Sequence, residues 1–403
     1  MNIRLIAPVE DEIPLNALLD ALSARGPQAP FSDSHIDCCV RLSRSLFADR
    51  EARAFPALQA LAFWLRRAEL LSLREEFAAL VRPGILRVPR GTIFHIPPGN
   101  VDTIFVYSWT LALLTGNRNV VRVSPRHSPQ TLILCRLLRR ILDGRDLGQV
   151  FVEYGHDPAV TAALSQACDV RVVWGGDGTI RAIREFPLPV HAKELTFPDR
   201  YSLSAISAAA WLSASDEERD RVVQQFYNDV FWFDQVACSS PRLLVWCGSE
   251  SDCSRASAGF LPALEREIGA RGYRIEPGAR MQKELFAARA ILDRPVSGHQ
   301  TYGPQLVVLD LESLENFDRH QCGGGLLFEF RTASLSALAP HIRRQDQTLT
   351  HFGFERAELE EFARQLQGRG LDRLVPIGQA LRFSRFWDGY DLLEEMTRAV
   401  AIG

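Results

Sequence analysis

The sequence predicts an α/β protein whose parallel sheets are covered by helices on both faces, with a helical segment in front. Three observations carry that expectation. From Ile85 onward, short β-type runs alternate with amphipathic helical stretches, the pattern of strand–helix–strand crossovers. Runs such as NVVRVS, QVFVEY and DVRVVW are almost continuously apolar, as strands buried on both faces are. The stretch 1–84 instead spaces its apolar residues by three and four, in LNALLDALSA, HIDCCVRLSRSLF and PALQALAFWLRRAELLSLREEFAAL.

Pro56 suits the first turn of the last of these helices, and Pro83-Gly84 ends it. After it come the strand ILRVPRGTIFHI, helix 101–115, strand NVVRVS, helix 128–143, strand QVFVEY, helix 157–166, strand DVRVVW, helix 178–185 and strand LPVHA. This series reads as a Rossmann-like nucleotide-binding domain over 85–200. Longer pieces follow over 201–370: strand YSLSAISAAAWL, helix 215–233, strand RLLVWC, helix 255–271, strand QLVVLDL and a glycine-rich turn, CGGGLLFEF. The segment 371–403 is aromatic and ends in a β-like tail, RAVAIG.

With 403 residues, 46% hydrophobic and 24% charged, the chain is long enough for two lobes with a cleft between them. A net charge of −3 argues against a nucleic-acid partner, whose binders carry a basic excess. No apolar run approaches the roughly 20 residues of a membrane span. The start MNIRLIAPVEDEIPL lacks the layout of a signal peptide, so a cytoplasmic location is expected. Eight cysteines are scattered without CxxC or CxxH pairs, which predicts neither a disulfide framework nor a metal site. Most should be buried, reduced, small hydrophobes.

Four stretches carry chemistry. In VVWGGDGTI, glycines after a strand let the backbone approach a ligand, and the amides of Asp177, Gly178 and Thr179 open a helix whose dipole favours phosphate. The same GGDGT is the phosphate-binding signature of NAD-kinase and lipid-kinase folds, so a phosphotransferase is one reading of the turn Gly175–Thr179. In VVRVSPRHSP, Arg122, Arg126 and His127 stand at a strand's carboxyl end, where they suit the extra phosphate of NADPH. FHIPPGN puts Asn100 at a strand–helix junction, either as a helix cap or as an amide donor to a developing oxyanion. In DQVACSSPR, Cys238 occupies a turn of small residues with room around its sulfur, and bare amides there can stabilise a thiolate and an oxyanion. A kinase has no use for that last stretch.

Taken in order, HIPPGNV, LTGNRNVVRVS, VVWGGDGTI, FPDRYSLSAI, DQVACSSPR and VPIGQALRFSRFWDGYDLL resemble the LuxC-type acyl-CoA reductases, the fatty acid reductase component of bacterial luminescence, within the aldehyde dehydrogenase superfamily. The resemblance covers 85–403 and implies an aldehyde dehydrogenase-like fold. It implies that Cys238 is the acylated nucleophile, with Asn100 and the Cys238 amide as oxyanion hole. It also implies that Arg122 and Ser124 hold the adenosine half of NADPH, that Gly175, Gly176, Asp177, Gly178 and Thr179 hold the pyrophosphate, and that Gln300 takes the place of the glutamate on the nicotinamide ribose. Acyl-CoA, an acyl carrier protein or an acylated synthetase would donate the acyl group. The tail RAVAIG would pair copies into a homo-oligomer. The glutamate that activates water in hydrolysing aldehyde dehydrogenases has no counterpart in FPDRYS, since Glu194 falls outside that turn. A non-catalytic subunit of a fatty acid reductase complex is the other reading. Phe94, Phe105, Tyr107, Trp109, Phe231, Trp232 and Phe233 are candidates to line an acyl tunnel, and His95 is more readily a structural histidine than a proton donor.

Overall fold

Valine- and leucine-rich runs become two seven-stranded sheets. The computed structural model describes residues 1–99, 101–145 and 147–403. One unit comprises Met1–Asp199 with Phe383–Gly403, the other Arg200–Arg382.

The first unit holds β1 (Asn2–Ala7), β2 (Asp11–Pro14), β3 (Ile85–Pro89), β4 (Thr92–Ile96), β5 (Arg118–Val123), β6 (Gln149–Glu153), β7 (Val170–Trp174) and β8 (Lys193–Phe197). All but β3 share one sheet, in the order β2-β1-β6-β5-β4-β7-β8. Neighbours from β6 to β8 are parallel, whereas β1 runs antiparallel to β2 and β6. The chain steps from β4 through β5 to β6, then crosses back to the other side of β4 for β7 and β8. Strand order therefore reverses between β4 and β7, the place where open α/β sheets bind ligands beyond their carboxyl ends. Gly175 and Gly176 follow β7 at that point.

Two elements differ from the sequence expectation. The front segment is not purely helical, because Ile3, Leu5 and Ile6 are buried on a strand that extends the sheet from β6. A six-residue run is too short to separate the two periodicities. The last strand is KELTF rather than LPVHA; Leu195 and Phe197 bury on its inner face, while the prolines at 187 and 189 suit a loop.

The second unit holds β9 (Tyr201–Ser207), β10 (Pro241–Cys247), β11 (Val296–Tyr302), β12 (Leu306–Leu311), β13 (Leu326–Thr332), β14 (Asp346–Phe352) and β15 (Arg373–Pro376), in the order β11-β12-β13-β10-β9-β14-β15. Only β11 is antiparallel to its neighbour. Alternate residues feed two cores. Leu243 and Val245 pack with Tyr201, Leu203 and Phe328, while Leu244 and Trp246 pack with Phe226, Phe260 and Leu327. The run expected as a glycine-rich turn contributes the turn Gly323–Gly325 and then the buried strand β13. Register slips by one residue on either side of the start of β9: on β10 between Pro241 and Leu243, and on β14 between Asp346 and Leu349.

The closing segment returns to the first unit as a hairpin of β16 (Phe386–Trp387) and β17 (Tyr390–Asp391), followed by β18 (Thr397–Ala401), which pairs antiparallel with β3. Asp388 and Gly389 have φ of 49° and 77°, the positive pair that two-residue hairpins favour. The motif is a wall for β7: Trp174 stacks on Phe197 at 3.7 Å and meets Trp387, and the Tyr107 hydroxyl donates to the Ser384 carbonyl at 2.6 Å. Among the described residues no helix is long and apolar enough to cross a membrane.

Candidate active site

Six of the eight cysteines are buried; Cys238 and Cys322 are half-buried. Burial pushes the thiols of Cys38, Cys135, Cys168 and Cys247 up to about 12, and that of Cys322 up to about 11, so these are poor nucleophiles at neutral pH. Cys238 sits in different surroundings. The helix Asp216–Phe231 ends, and the chain turns through Asp234 and Gln235 at φ of 49° and 61°, an uncommon conformation for two consecutive non-glycine residues. Such a backbone persists only where its surroundings fix it.

Buried hydrogen bonds do the fixing. The Gln235 carboxamide donates to the carbonyls of Pro241 and Leu326, both at 2.9 Å, and accepts the Gly325 N–H at 3.1 Å. The guanidinium of Arg242, itself only 2% exposed, donates to the carbonyls of Gln235, Ala237 and Cys238 at 3.2, 2.9 and 3.3 Å. Ser202 Oγ donates to the Cys238 carbonyl at 2.7 Å. Beneath the turn, Gly325 has φ of 79°, and a Cβ there would stand 2.1 Å from the Gln305 carbonyl oxygen, so no larger residue fits. The Lys283 ammonium donates to the carbonyls of Pro304, Gln305 and Gly324 at 2.9, 3.0 and 2.8 Å, and burial lowers its pKa to about 8. The sulfur of Cys238 accepts from Gln347 Nε2 at 3.6 Å.

The other proposed residue of the second unit lies on its sheet. Gln300 is on the edge strand β11, where its Oε1 accepts the Tyr302 hydroxyl at 2.7 Å and its Nε2 donates to Asp310 at 3.3 Å. The GQA of the terminal motif is held by Asp229, which is 1% exposed and accepts the N–H groups of Gly378 and Ala380 at 2.6 and 3.0 Å. Burial pushes the Asp229 carboxyl up to about 7, with the two amides pulling the other way. The unfolded chain loses this proton near pH 3.9 while the folded chain keeps it, so stability is expected to fall as pH rises from about 4 to about 7, by up to about 1.4 kcal/mol per unit. Urea denaturation across that range should show the slope in the wild type and not in Asp229→Asn.

In the first unit, the helix Asp177–Arg184 begins directly after β7 with Gly176 as its cap, and Asp177, Gly178 and Thr179 are exposed. The Asp199 carboxylate accepts the Asp177 N–H at 3.3 Å and stands 2.9 Å from where a Gly176 Cβ would be. The helix start thus faces one side-chain carboxylate, which a larger residue at 176 would push aside. Arg122 donates to the carbonyls of Tyr154 and Gly155 at 3.4 and 3.2 Å and lies over the Tyr154 ring, which fixes its guanidinium at the carboxyl edge of the sheet. The Ser124 hydroxyl oxygen accepts the Arg126 N–H at 3.2 Å, and the Arg126 side chain is exposed. His127 is paired with Glu153 at 2.6 Å. Asn100 lies outside the described residues.

Several candidates are structural. His95 is fully buried between Ser108 Oγ and Asn119 Oδ1, at 2.8 and 2.9 Å, and burial lowers its pKa to about 4, so it is a neutral core imidazole. Glu194 is held by Arg171 and Arg184 at 2.9 and 2.8 Å. Phe94, Phe105, Tyr107 and Trp109 are no more than 5% exposed and pack in the core of their own unit. Phe231 is buried likewise, whereas Trp232 and Val236, at 41% and 40%, are exposed apolar groups on the Cys238 turn. Gln347, Arg242 and Ser202 had no motif to mark them. For Gln347 the available signal was the polar run DQTLT, whose five residues are all buried on β14.

Known proteins share this fold and parts of this sequence. The family described as Acyl-CoA reductase (LuxC) matches residues 82–259, a stretch that includes Gly175–Thr179 and Cys238. The long-chain acyl-protein thioester reductase of Photorhabdus laumondii subsp. laumondii is 23% identical over 327 residues, covering 77% of this chain and 63% of that protein. The one from Aliivibrio fischeri is 22% identical over 301 residues, covering 72% and 59%. The chain therefore spans about three-fifths of these relatives' length. Among solved structures, aldehyde dehydrogenase 21 of Physcomitrella patens, in complex with succinate, matches 100% of this chain and 97% of its own, with a TM-score of 0.71 at 12% identity. A Mycobacterium tuberculosis aldehyde dehydrogenase complexed with NAD+ matches 99% and 94%, with a TM-score of 0.66 at 12% identity. The fold is that of the aldehyde dehydrogenases, and the chain resembles the LuxC-type reductases. The GGDGT turn thus stands in a fold other than the kinase fold its sequence also suggested.

Proposed function

We propose that this chain, with its aldehyde dehydrogenase fold and its resemblance to the LuxC-type acyl-CoA reductases, reduces a fatty acyl thioester to the aldehyde through an acyl group carried on Cys238, using NADPH, in the cytosol. The observation that carries the reading is the Cys238 turn, a half-buried thiol on a backbone held by the buried Gln235 and Arg242 side chains.

The thiolate of Cys238 attacks the thioester carbonyl, forming a new carbon–sulfur bond. The oxyanion is held by the Cys238 amide and the Asn100 carboxamide until the carrier thiolate leaves. One thioester replaces another, so this step is close to balanced in free energy. Trp232 and Val236, exposed on the same turn, give the acyl chain apolar surface. When bound, NADPH would supply the hydride that takes the acyl carbon to the aldehyde level, with Cys238 leaving as its thiolate. Glu194, committed to Arg171 and Arg184, does not activate water, which protects the acyl enzyme from hydrolysis. The donor is an acyl-CoA or an acyl group on a carrier or synthetase protein.

For the cofactor, the amides of Gly175–Thr179 take the pyrophosphate, Arg122, Ser124 and Arg126 the adenosine end with its phosphate, and Gln300 the nicotinamide ribose. Removing the exposed guanidinium in Arg126→Ala should raise KM for NADPH by about tenfold, one charge-assisted hydrogen bond, and leave KM for NADH within about twofold. Equal effects on both cofactors in steady-state kinetics would place the phosphate elsewhere. The β3–β18 ribbon, with Leu86 49% exposed, is proposed as the strand edge that joins copies into a homo-oligomer. Light scattering should find no monomer at micromolar concentration, and a monomer there contradicts the proposal.

The reading is tested by intact mass spectrometry after incubation with acyl-CoAs and acyl carrier proteins of several chain lengths. A mass gain of one acyl group in the wild type, lost in Cys238→Ala, is expected. A gain that survives in Cys238→Ala would move the nucleophile to another residue.

A further inference from the structure

The two register slips beside β9 both act on the Cys238 turn. A bulge sets one extra residue against a neighbouring strand and re-aims its side chain. On β10 the extra residue is Arg242, whose guanidinium gathers the turn's carbonyls. On β14 two residues, Gln347 and Thr348, stand between the paired Asp346 and Leu349 where β9 has one. Asp346 is pinned before the bulge by a bidentate pair with Arg319, both contacts at 2.8 Å, with neither side chain exposed. The Thr348 N–H donates to Ser202 Oγ at 3.3 Å, the same hydroxyl that donates to the Cys238 carbonyl. The Thr348 hydroxyl donates to Gln347 Oε1 at 3.4 Å, which orients the carboxamide with its nitrogen toward the sulfur. Gln347 is fully buried, and its Nε2 is 3.6 Å from Cys238 Sγ.

We propose that Gln347 is a catalytic residue: its carboxamide N–H donates to Cys238 Sγ, holds the thiolate form and aims it at the thioester carbonyl. The proposal rests on the reading of Cys238 as the nucleophile. A donor stabilises a charged acceptor more than a neutral one, so this bond favours S⁻ over S–H, with the proton released to solvent. Once the sulfur is acylated it is a weak acceptor, and the bond has its largest value in the state that attacks.

The test reads the thiol rather than turnover. The rate of iodoacetamide alkylation at Cys238 is followed by peptide mass mapping from pH 5 to 10 in wild type, Gln347→Leu and the isosteric Gln347→Glu. Circular dichroism confirms the fold, and Gln347→Asn replaces any variant that does not fold. The midpoint should move up by about one pH unit in Gln347→Leu, where the donor is lost, and further in Gln347→Glu, where a negative charge faces the sulfur. Acylation should slow in proportion to the lost thiolate while KM for the acyl donor stays within about twofold. An unchanged midpoint in folded variants, with Cys238 still acylated by the donor, overturns the role of Gln347 alone. Absence of acylation at Cys238 in the wild type overturns the nucleophile reading, and the proposal with it.

Discussion

Cys238→Ala is expected to make no aldehyde and carry no acyl group, while folding as the wild type does. The turn around residue 238 is held by Gln235, Arg242 and Ser202, and the bonds from Arg242 and Ser202 reach the Cys238 main chain, not its side chain. Removing a half-buried sulfur should therefore cost no more than about 1 kcal/mol in urea denaturation. The effect on rate is of another order, because loss of a covalent nucleophile removes the pathway; a fall of at least about 10⁴-fold in kcat is expected. Cys238→Ser should behave in the same way, since a hydroxyl is far harder to ionise than a thiol at neutral pH. Appreciable aldehyde formation by either variant would remove the acyl-cysteine step from the account.

The second large effect falls on stability. Arg319 and Asp346 form a bidentate pair with no exposure on either side chain, and Asp346 also accepts the Arg343 N–H at 2.8 Å. Burial disfavours the guanidinium's charge, but the hydrogen bond and charge of Asp346 outweigh it, and the Arg319 pKa lies above its ordinary value. Arg319→Met strands the carboxylate in the core and is expected to destabilise the second unit by about 3–5 kcal/mol. Removing both charges in Arg319→Met/Asp346→Leu should recover most of that loss, because the main cost is the unpaired charge. Denaturation of both variants separates this account from one in which the pair is simply worth its contacts, where the double variant would be the worse of the two.

How much of this was legible in the sequence follows from which properties are local. Alternation of apolar runs with helical stretches located β4 to β7 and their crossovers, because strands buried on both faces carry their burial in their own composition. Strand β1 escaped, since its burial comes from pairing with β6, far along the chain. Strand β8 escaped because lysine and glutamate open it; Glu194 is there to meet Arg171 on β7. The Cys238 turn and the glycine turn after β7 stood out, as both depend on small residues at fixed spacing. Gln347 did not. Its position depends on a register slip between β14 and β9, a relation between distant strands that neither strand's composition records. The terminal WDGYD was readable as a family mark, yet its physical part, a hairpin whose Trp387 meets Trp174 just before Gly175, is visible only in three dimensions.

The central claim is that Cys238 carries the acyl group on its way to the aldehyde, and single-turnover discharge tests it most directly. Acyl enzyme prepared with an acyl-CoA or acyl-protein donor and freed of excess donor is mixed with NADPH, and intact mass and aldehyde are followed together. The account predicts that the acyl mass leaves Cys238 at the rate at which aldehyde appears, one aldehyde and one oxidised cofactor for each acyl group. An acyl group that stays on the protein in the presence of NADPH, or that leaves as free fatty acid with the cofactor unconsumed, would contradict it.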